Sequence, residues 1–229
     1  MLRILSLTLL ATATQAFVPT RPTSFPTTLL QLSSTTSFTQ TLDENMTLLK
    51  KAAASKDQDS DAVVTALLEV EKQMRQAAKE DPNVASEMRQ QLNGDWRLVF
   101  TTGTIDTQKR TGRINYFPLK AVQSFRPNND IENGIYLGDF PAVKFQGTFE
   151  FNLKSRKLEF DFTQLTLFNF LDIQLGQGEA AELGAKSGLG SKNNVGAKRK
   201  AFFNWISADA DIATARGGGG GLALWKRVG

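Results

Sequence analysis

The chain has 229 residues, with 27 lysines and arginines against 23 acids, and it contains neither cysteine nor histidine. Those two absences exclude disulfide scaffolds, thiolate nucleophiles, zinc sites built on Cys or His, and Ser-His or Cys-His catalysis. Arg3 and Arg21 are the only charges ahead of Asp43, so the remainder carries a net charge of about +2 and gives no reason to expect nucleic-acid binding.

Residues 1–16 carry one charge, Arg3, then an apolar run from Ile4 to Leu10, then Thr14 and Ala16 in the small-residue positions of a cleavage site. That is the layout of a secretory signal peptide, and its apolar stretch is far short of the roughly 20 residues that span a bilayer. Residues 17–42 are rich in Ser and Thr and hold no acid, the composition of a transit peptide. The order, with Phe17 directly after Ala16, resembles the bipartite plastid presequence of diatoms and related algae, which implies import into a plastid. A secreted protein with a flexible Thr/Ser/Pro tail is the alternative.

Residues 43–91 read as a helical preface. Leu42, Met46, Leu49 and Ala53 recur at helical spacing; after a polar break, Val63, Leu67, Val70, Met74 and Ala77 form a second seam, widened by Val64, Leu68 and Ala78. Asp59 or Ser60 caps that helix, Asp81-Pro82 stops it, and a short helix from Asn83 to Leu92 delivers the chain to Gly94. The stripe predicts packing on the domain that follows; a partner-binding helix is the alternative.

From Trp96 the period becomes two. Trp96, Leu98 and Phe100 are expected on one face of a first strand. Phe145, Gly147, Phe149, Phe151 and Leu153 share a face of another strand, and Leu158, Phe160 and Phe162 share a face of its hairpin partner, each opposite polar neighbours. At Gln164 the parity slips, because Leu165 and Leu167 continue out of step, which predicts a bulge. Shorter candidates are Val122 to Phe125, Ile135 to Leu137, Ala201 to Ile206 and Leu222 to Arg227, with weaker ones near Arg113 to Asn115 and Ile173 to Leu175. About eight or nine strands suit an antiparallel up-and-down barrel able to hold one small ligand. Residues 176–200, rich in Gly, Asn, Ser and Lys, read as a mobile loop.

Two segments carry a resemblance. Leu92, Gly94, Trp96, Leu98, Val99, Phe100 and Thr101 at one end, and Asp211, Ile212, Arg216 and Gly217 at the other, resemble the opening and closing patterns of the plastid lipid-associated protein (fibrillin) family. The likeness covers roughly residues 92–227 of the 92–229 domain, is weak between about 176 and 200, and departs at Ala213 and Thr214, where many members have an arginine and an aliphatic. It implies a mainly β domain with N-terminal helices, a lipocalin-like barrel, and a non-enzymatic role at thylakoids or plastoglobules, binding or shielding prenylquinones, carotenoids or acyl lipids without a cofactor.

Neighbouring first and last strands place Arg216 over Trp96 as a cation–π seal on the barrel. Phe145, Phe149, Phe151, Phe160 and Phe162 either line a lipid cavity or fill a solid core. Lys186, Lys192, Lys198, Arg199 and Lys200 form an acid-free basic stretch that reads as a contact for anionic lipid or as a solvated loop, with Phe168, Phe170 and Leu171 just before it as a shallow wedge. The pairs Glu159/Asp161 and Asp209/Asp211 read as hydrated carboxylates rather than acid–base dyads, and Gly217 to Gly221 as a flexible hairpin rather than a phosphate loop. A structural coat protein of plastid lipid droplets and an accessory factor to a quinone or lipid enzyme are the rival functions.

Overall fold

Capping chemistry sets the helical boundaries. In the computed structural model, which describes residues 42–186 and 199–228, α1 spans Leu42–Ser55, α2 Ser60–Glu80 and α3 Asn83–Gln91. Of the targeting segments read from sequence, all but Leu42 lie outside the described residues, as do Lys192 and Lys198. The Asp59 carboxylate accepts the N–H groups of Asp61 and Ala62 at 3.1 and 2.9 Å, satisfying two donors that the first turn of α2 leaves open. Asp81 ends α2 and accepts the Asn83 N–H at 2.9 Å, which turns the chain into α3.

The strands are β1 (Gly94–Thr101), β2 (Asn115–Tyr116), β3 (Lys120–Phe125), β4 (Asp130–Leu137), β5 (Phe140–Asn152), β6 (Lys157–Leu167), β7 (Leu171–Gln174), β8 (Ala201–Ala208), β9 (Ile212–Gly217) and β10 (Leu222–Val228). Two short helices complete the described residues, α4 (Ile105–Thr111) and α5 (Glu179–Lys186). The order β1, β3, β4, β5, β6, β8, β9, β10 closes when β10 pairs with β1, giving an antiparallel eight-stranded barrel of the lipocalin-like type with β2 and β7 as short additions. Closure leaves the ring with no free edge.

Bulges set which side chains enter. On β6, Gln164 pairs with Gln146 and Phe162 with Gly147, so Thr163 is the extra residue, one position before the slip read from the sequence. A Cβ at Gly147 would overlap the Asp161 carbonyl oxygen, so the bulge requires glycine there. A second register shift, between Leu98 and Phe100, corrects the expectation that Trp96, Leu98 and Phe100 share a face. Trp96 and Leu98 belong with the barrel interior, whereas Phe100 packs outside with the helices.

That outer wall is where the helical stripe goes. Leu49, Ala52, Val63, Leu67 and Val70 bury against Val99, Phe100, Ile206, Ile212, Leu222 and Leu224 on β1, β8, β9 and β10. A fully buried Val, Leu, Ile or Phe side chain contributes roughly 1.5–3 kcal/mol, so this contact is a main anchor of the preface. At one end of the barrel, Met88 and Leu92 cover Trp96, whose indole N–H donates to the Leu92 carbonyl at 2.8 Å.

The arginine over Trp96 is Arg227, not Arg216. The Arg227 guanidinium lies 4.1 Å from the indole and donates to the carbonyls of Asn93 (2.8 Å), Gln91 (2.6 Å), Ala210 (2.8 Å) and Asp209 (3.1 Å). Gly94 makes room: it sits at φ +126°, and a Cβ there would come within 2.7 Å of Arg227 Nη1. Arg216 is on β9, one strand removed from β1, and instead grips Glu71 of α2 at 2.5 and 2.9 Å while donating to the Gly220 carbonyl at 2.7 Å. It joins helix to barrel rather than strand to strand.

Two outcomes follow from this arrangement. Arg227→Ala lowers the unfolding free energy by about 2–4 kcal/mol in urea titrations, because it strips the indole of its cation and four carbonyls of their donor, and Arg216→Ala costs less. The hydrogen bond from Arg216, opposed in part by burial, holds the Glu71 carboxyl below its ordinary range. A depressed folded-state pKa adds stability that is present above the unfolded value near ~4.3 and is lost as pH falls. Wild-type protein therefore loses stability more steeply than Glu71→Gln between about pH 5 and pH 3, read from unfolding midpoints across that window.

Candidate functional site

Aromatic rings pack through the interior of the barrel. Phe145 meets Phe162, Phe162 meets Phe160, Phe160 meets Phe203, and Phe203 meets Trp205 and Trp225, with centroids 5.2–5.8 Å apart throughout. Phe125 continues the chain from Trp205 to Phe149. The tryptophans fit because small residues oppose them: Trp225 pairs with Ala213, and Trp205 with Ala215. Of the five phenylalanines read from sequence, Phe149, Phe160 and Phe162 are buried in this packing, while Phe145 and Phe151 are half-buried against it.

Leu98, Phe145, Leu165 and Phe203 belong to the same interior packing yet remain half-buried, and Leu175 and Ala180 of the β7–α5 segment pack against it. The end of the barrel away from α3 carries an apolar rim: Leu119, Leu137, Phe140, Phe168, Phe170 and Leu171 are all exposed, Phe170 to 80 %. The tip of the β6–β7 hairpin is tied beside that of β4–β5 by the Phe168 N–H, which donates to the Ala142 carbonyl at 2.9 Å. Its central residues, Phe168 (φ 52°) and Asn169 (φ 63°), both hold positive φ and are closed by Phe170 N–H to Leu167 O at 3.2 Å, the form of a type I′ turn. Asn, Asp or Gly suits the first of these positions; a phenylalanine there bears backbone strain while its ring faces water.

Of the basic stretch, read as a contact for anionic lipid or as a solvated loop, two of the three described residues have acidic partners. Residues 176–200 were expected as one loop, but α5 forms within them, and Lys186 pairs with Glu182 one turn back at 2.7 Å. Lys200 pairs with Glu150 at 3.1 Å, and Arg199 is exposed. The sequence missed α5 because Gly176 and Gly178 just before it and Gly184 within it read as breakers. The paired carboxylates are held as structural groups: Lys157 takes Glu159 at 2.7 Å, Asp161 accepts the Gly178 N–H, and Lys50 bridges Asp209 and Asp211 at 3.0 and 2.8 Å. Burial opposes the charge on Asp209, yet the N–H groups of Ile212 and Asp211 and the Lys50 ammonium outweigh it and keep the carboxyl below its ordinary range. Outside the barrel, Met46, Met74 and Met88 line an open groove of about 510 Å³ between the helices and β8.

Among the described residues, three polar atoms at inward positions of the barrel have no partner. Gln123 Nε2, Asn133 Oδ1 and Trp205 Nε1 are fully enclosed and make no hydrogen bond. Gln123 is two residues from Phe125 on an unbroken stretch of β3, and Asn133 two from Ile131 on β4, so both take the inward parity of those core residues. They lie in one cross-strand row, Trp96–Gln123–Asn133–Phe145–Leu165. β3 and β8 are four steps apart around the ring in either direction, so Gln123 and Trp205 project from opposite walls. The lumen is narrow enough for the rings of Phe125 and Trp205 to meet across it at 5.6 Å. Leaving a buried polar group unpaired costs about 1–3 kcal/mol, a large sum for three groups against a total stability of about 5–15 kcal/mol. The signal was present in the sequence as polar residues at inward positions of short strands, where an apolar one is the rule.

No protein-family model and no curated protein matches this chain. Among solved structures, an uncharacterized protein from Bacteroides eggerthii aligns with 60% of this chain and 99% of its own at 12% identity, with a TM-score of 0.39, a likeness too slight to carry an argument.

Gln123→Leu removes an unpaired amide while keeping comparable volume, so it raises the unfolding free energy by about 1 kcal/mol, checked by the urea midpoint of the purified protein.

Proposed function

We propose that this protein is a plastid lipid-associated, fibrillin-type protein that binds or shields apolar lipids at a thylakoid or plastoglobule surface, with no covalent step. The observation that carries this reading is the apolar rim at the end of the aromatic barrel away from α3. Six large apolar side chains there face solvent, and one of them accepts a strained turn conformation to do so. Exposed apolar clusters of this kind mark contact with another apolar phase. The resemblance of the β1 and β9 segments to the fibrillin patterns, and the presequence order, support the plastid setting.

Transfer of the rim into a lipid monolayer returns roughly 25 cal/mol for each Å² of apolar surface removed from water. The basic residues play a lesser part in this picture, since Lys186 and Lys200 already have acidic partners. The packed rings of the interior favour a second reading, a coat protein whose interior holds nothing. Organic extraction of natively purified protein separates the two: a carrier releases a stoichiometric isoprenoid or acyl lipid, a coat releases none.

The rim is tested with vesicles of galactolipid and phosphatidylglycerol. Combining Phe168→Asn with Phe170→Ser weakens flotation with these vesicles by about tenfold or more, as expected for withdrawing two phenylalanine side chains from lipid. The same double variant unfolds at an equal or higher temperature, because asparagine tolerates the turn conformation that phenylalanine does not. Unchanged flotation overturns the rim as the lipid contact.

A further inference from the structure

We infer that the groove between the helices and β8 is an oxidation site, where a peroxide converts Met46 and Met74 to sulfoxides and thereby releases α1 and α2 from the barrel wall. The site is independent of lipid contact at the rim. Its basis is where the chain puts its sulfur. The described residues contain three methionines and no cysteine, and Met46 of α1, Met74 of α2 and Met88 of α3 all line that one groove.

Exposure grades the three. Met46 and Met74 are half-buried, whereas Met88, which covers Trp96, is 3 % exposed. A peroxide that enters the groove therefore meets the first two thioethers. The sulfur lone pair takes one peroxide oxygen as the O–O bond breaks, and the other oxygen takes up the peroxide proton and leaves as water or an alcohol. Sulfur gives up two electrons and the peroxide accepts them, so the step needs no further reactant.

The contacts of these side chains decide what the added oxygen does. Met46 packs against the cluster that joins α1 and α2 to β1, β8, β9 and β10, and Met74 packs against both that cluster and the barrel interior. Oxidation turns a flexible apolar side chain at each position into a polar one. The groove offers the new oxygen few donors. The Asp43, Glu87 and Asp209 carboxylates only accept, the Lys50 ammonium is held by Asp209 and Asp211, and the Ser207 hydroxyl is paired with Thr214. Hydration of the sulfoxide thus requires the side chain to turn outward, which withdraws it from the helix–barrel seam. Release of the two helices uncovers Val99, Phe100, Ile206 and Leu224 on the outer wall while the β1–β10 pairing stays intact.

Hydrogen peroxide is the probe, with sulfoxides located by peptide mass spectrometry. Met46 and Met74 are modified before Met88, and tryptic cleavage within α1 and α2 becomes about tenfold faster, because cleavage tracks the population of the opened helices. Methionine sulfoxide reductase with dithiothreitol returns the rate to its starting value. The volume-conserving pair Met46→Leu and Met74→Leu, combined in one chain, keeps slow cleavage after the same treatment. Met74→Gln, which places a polar amide there without any oxidant, is cleaved faster from the outset and tests the same release should the double variant fold poorly. The site is overturned if Met46 and Met74 resist a dose that converts free methionine, if Met88 reacts first, or if their sulfoxides leave cleavage unchanged. Sensitisation of a folded double variant overturns it as well, since another residue is then responsible.

Discussion

The pairing of β1 with β10 decides what the remainder of the chain can bury, because it converts a curved sheet with two reactive edges into a wall with an inside and an outside. Arg227 secures the seam from within, and its hydrogen bonds go to the carbonyls of Gln91 and Asn93, at the carboxyl end of α3, and to Asp209 and Ala210 in the β8–β9 turn. A cation at a helix carboxyl terminus is favourable in its own right. One residue therefore closes the ring, fixes the exit of α3 and covers an indole. Gly94 is the concession that makes this possible, since its φ and lack of a side chain admit the guanidinium.

Closure also makes the barrel unequal end to end. Because α3 runs straight into β1, it is tethered to one mouth, and Met88 and Leu92 become part of the interior. At the other end α4 follows β1, Leu175 and Ala180 of the β7–α5 segment pack against the interior, and the rim carries exposed apolar side chains. Two costs that a folded chain ordinarily avoids are the unpaired amides on β3 and β4 and, at this rim, a phenylalanine with positive φ at a hairpin tip. Local rules are broken where something other than stability is selected. The helical side of the molecule breaks few of them. There the apolar stripe, the Asp59 cap and the Arg216–Glu71 pair agree with one another.

What the sequence made legible was whatever depends on near neighbours. The β5–β6 hairpin could be read because its phenylalanines alternate with charges over many residues, and the slip at Gln164 because parity is a local count. The helices could be read from their spacing and caps. The seam arginine could not, since choosing between Arg216 and Arg227 needs to know which strand lies beside β1, and that is fixed by pairing over more than a hundred residues. Phe100 was misplaced because a bulge at Val99 leaves no mark in an already apolar run. Gln123 and Asn133 were overlooked because a single polar residue in a six- or eight-residue strand reads as an ordinary surface position until the pairing shows which way it faces.

The dimensions of the lumen constrain any carrier role. Rings that touch across the barrel leave no room for a long isoprenoid chain to coil inside, as it does in wider barrels. On the proposed reading most of a bound lipid stays outside the barrel, among Phe140, Phe168 and Phe170, whose exposed rings cannot by themselves enclose it. An apolar chain in that position is stable only against a second apolar phase. The proposed rim contact is then that of a protein which holds a lipid while most of it stays in the membrane or droplet from which it came.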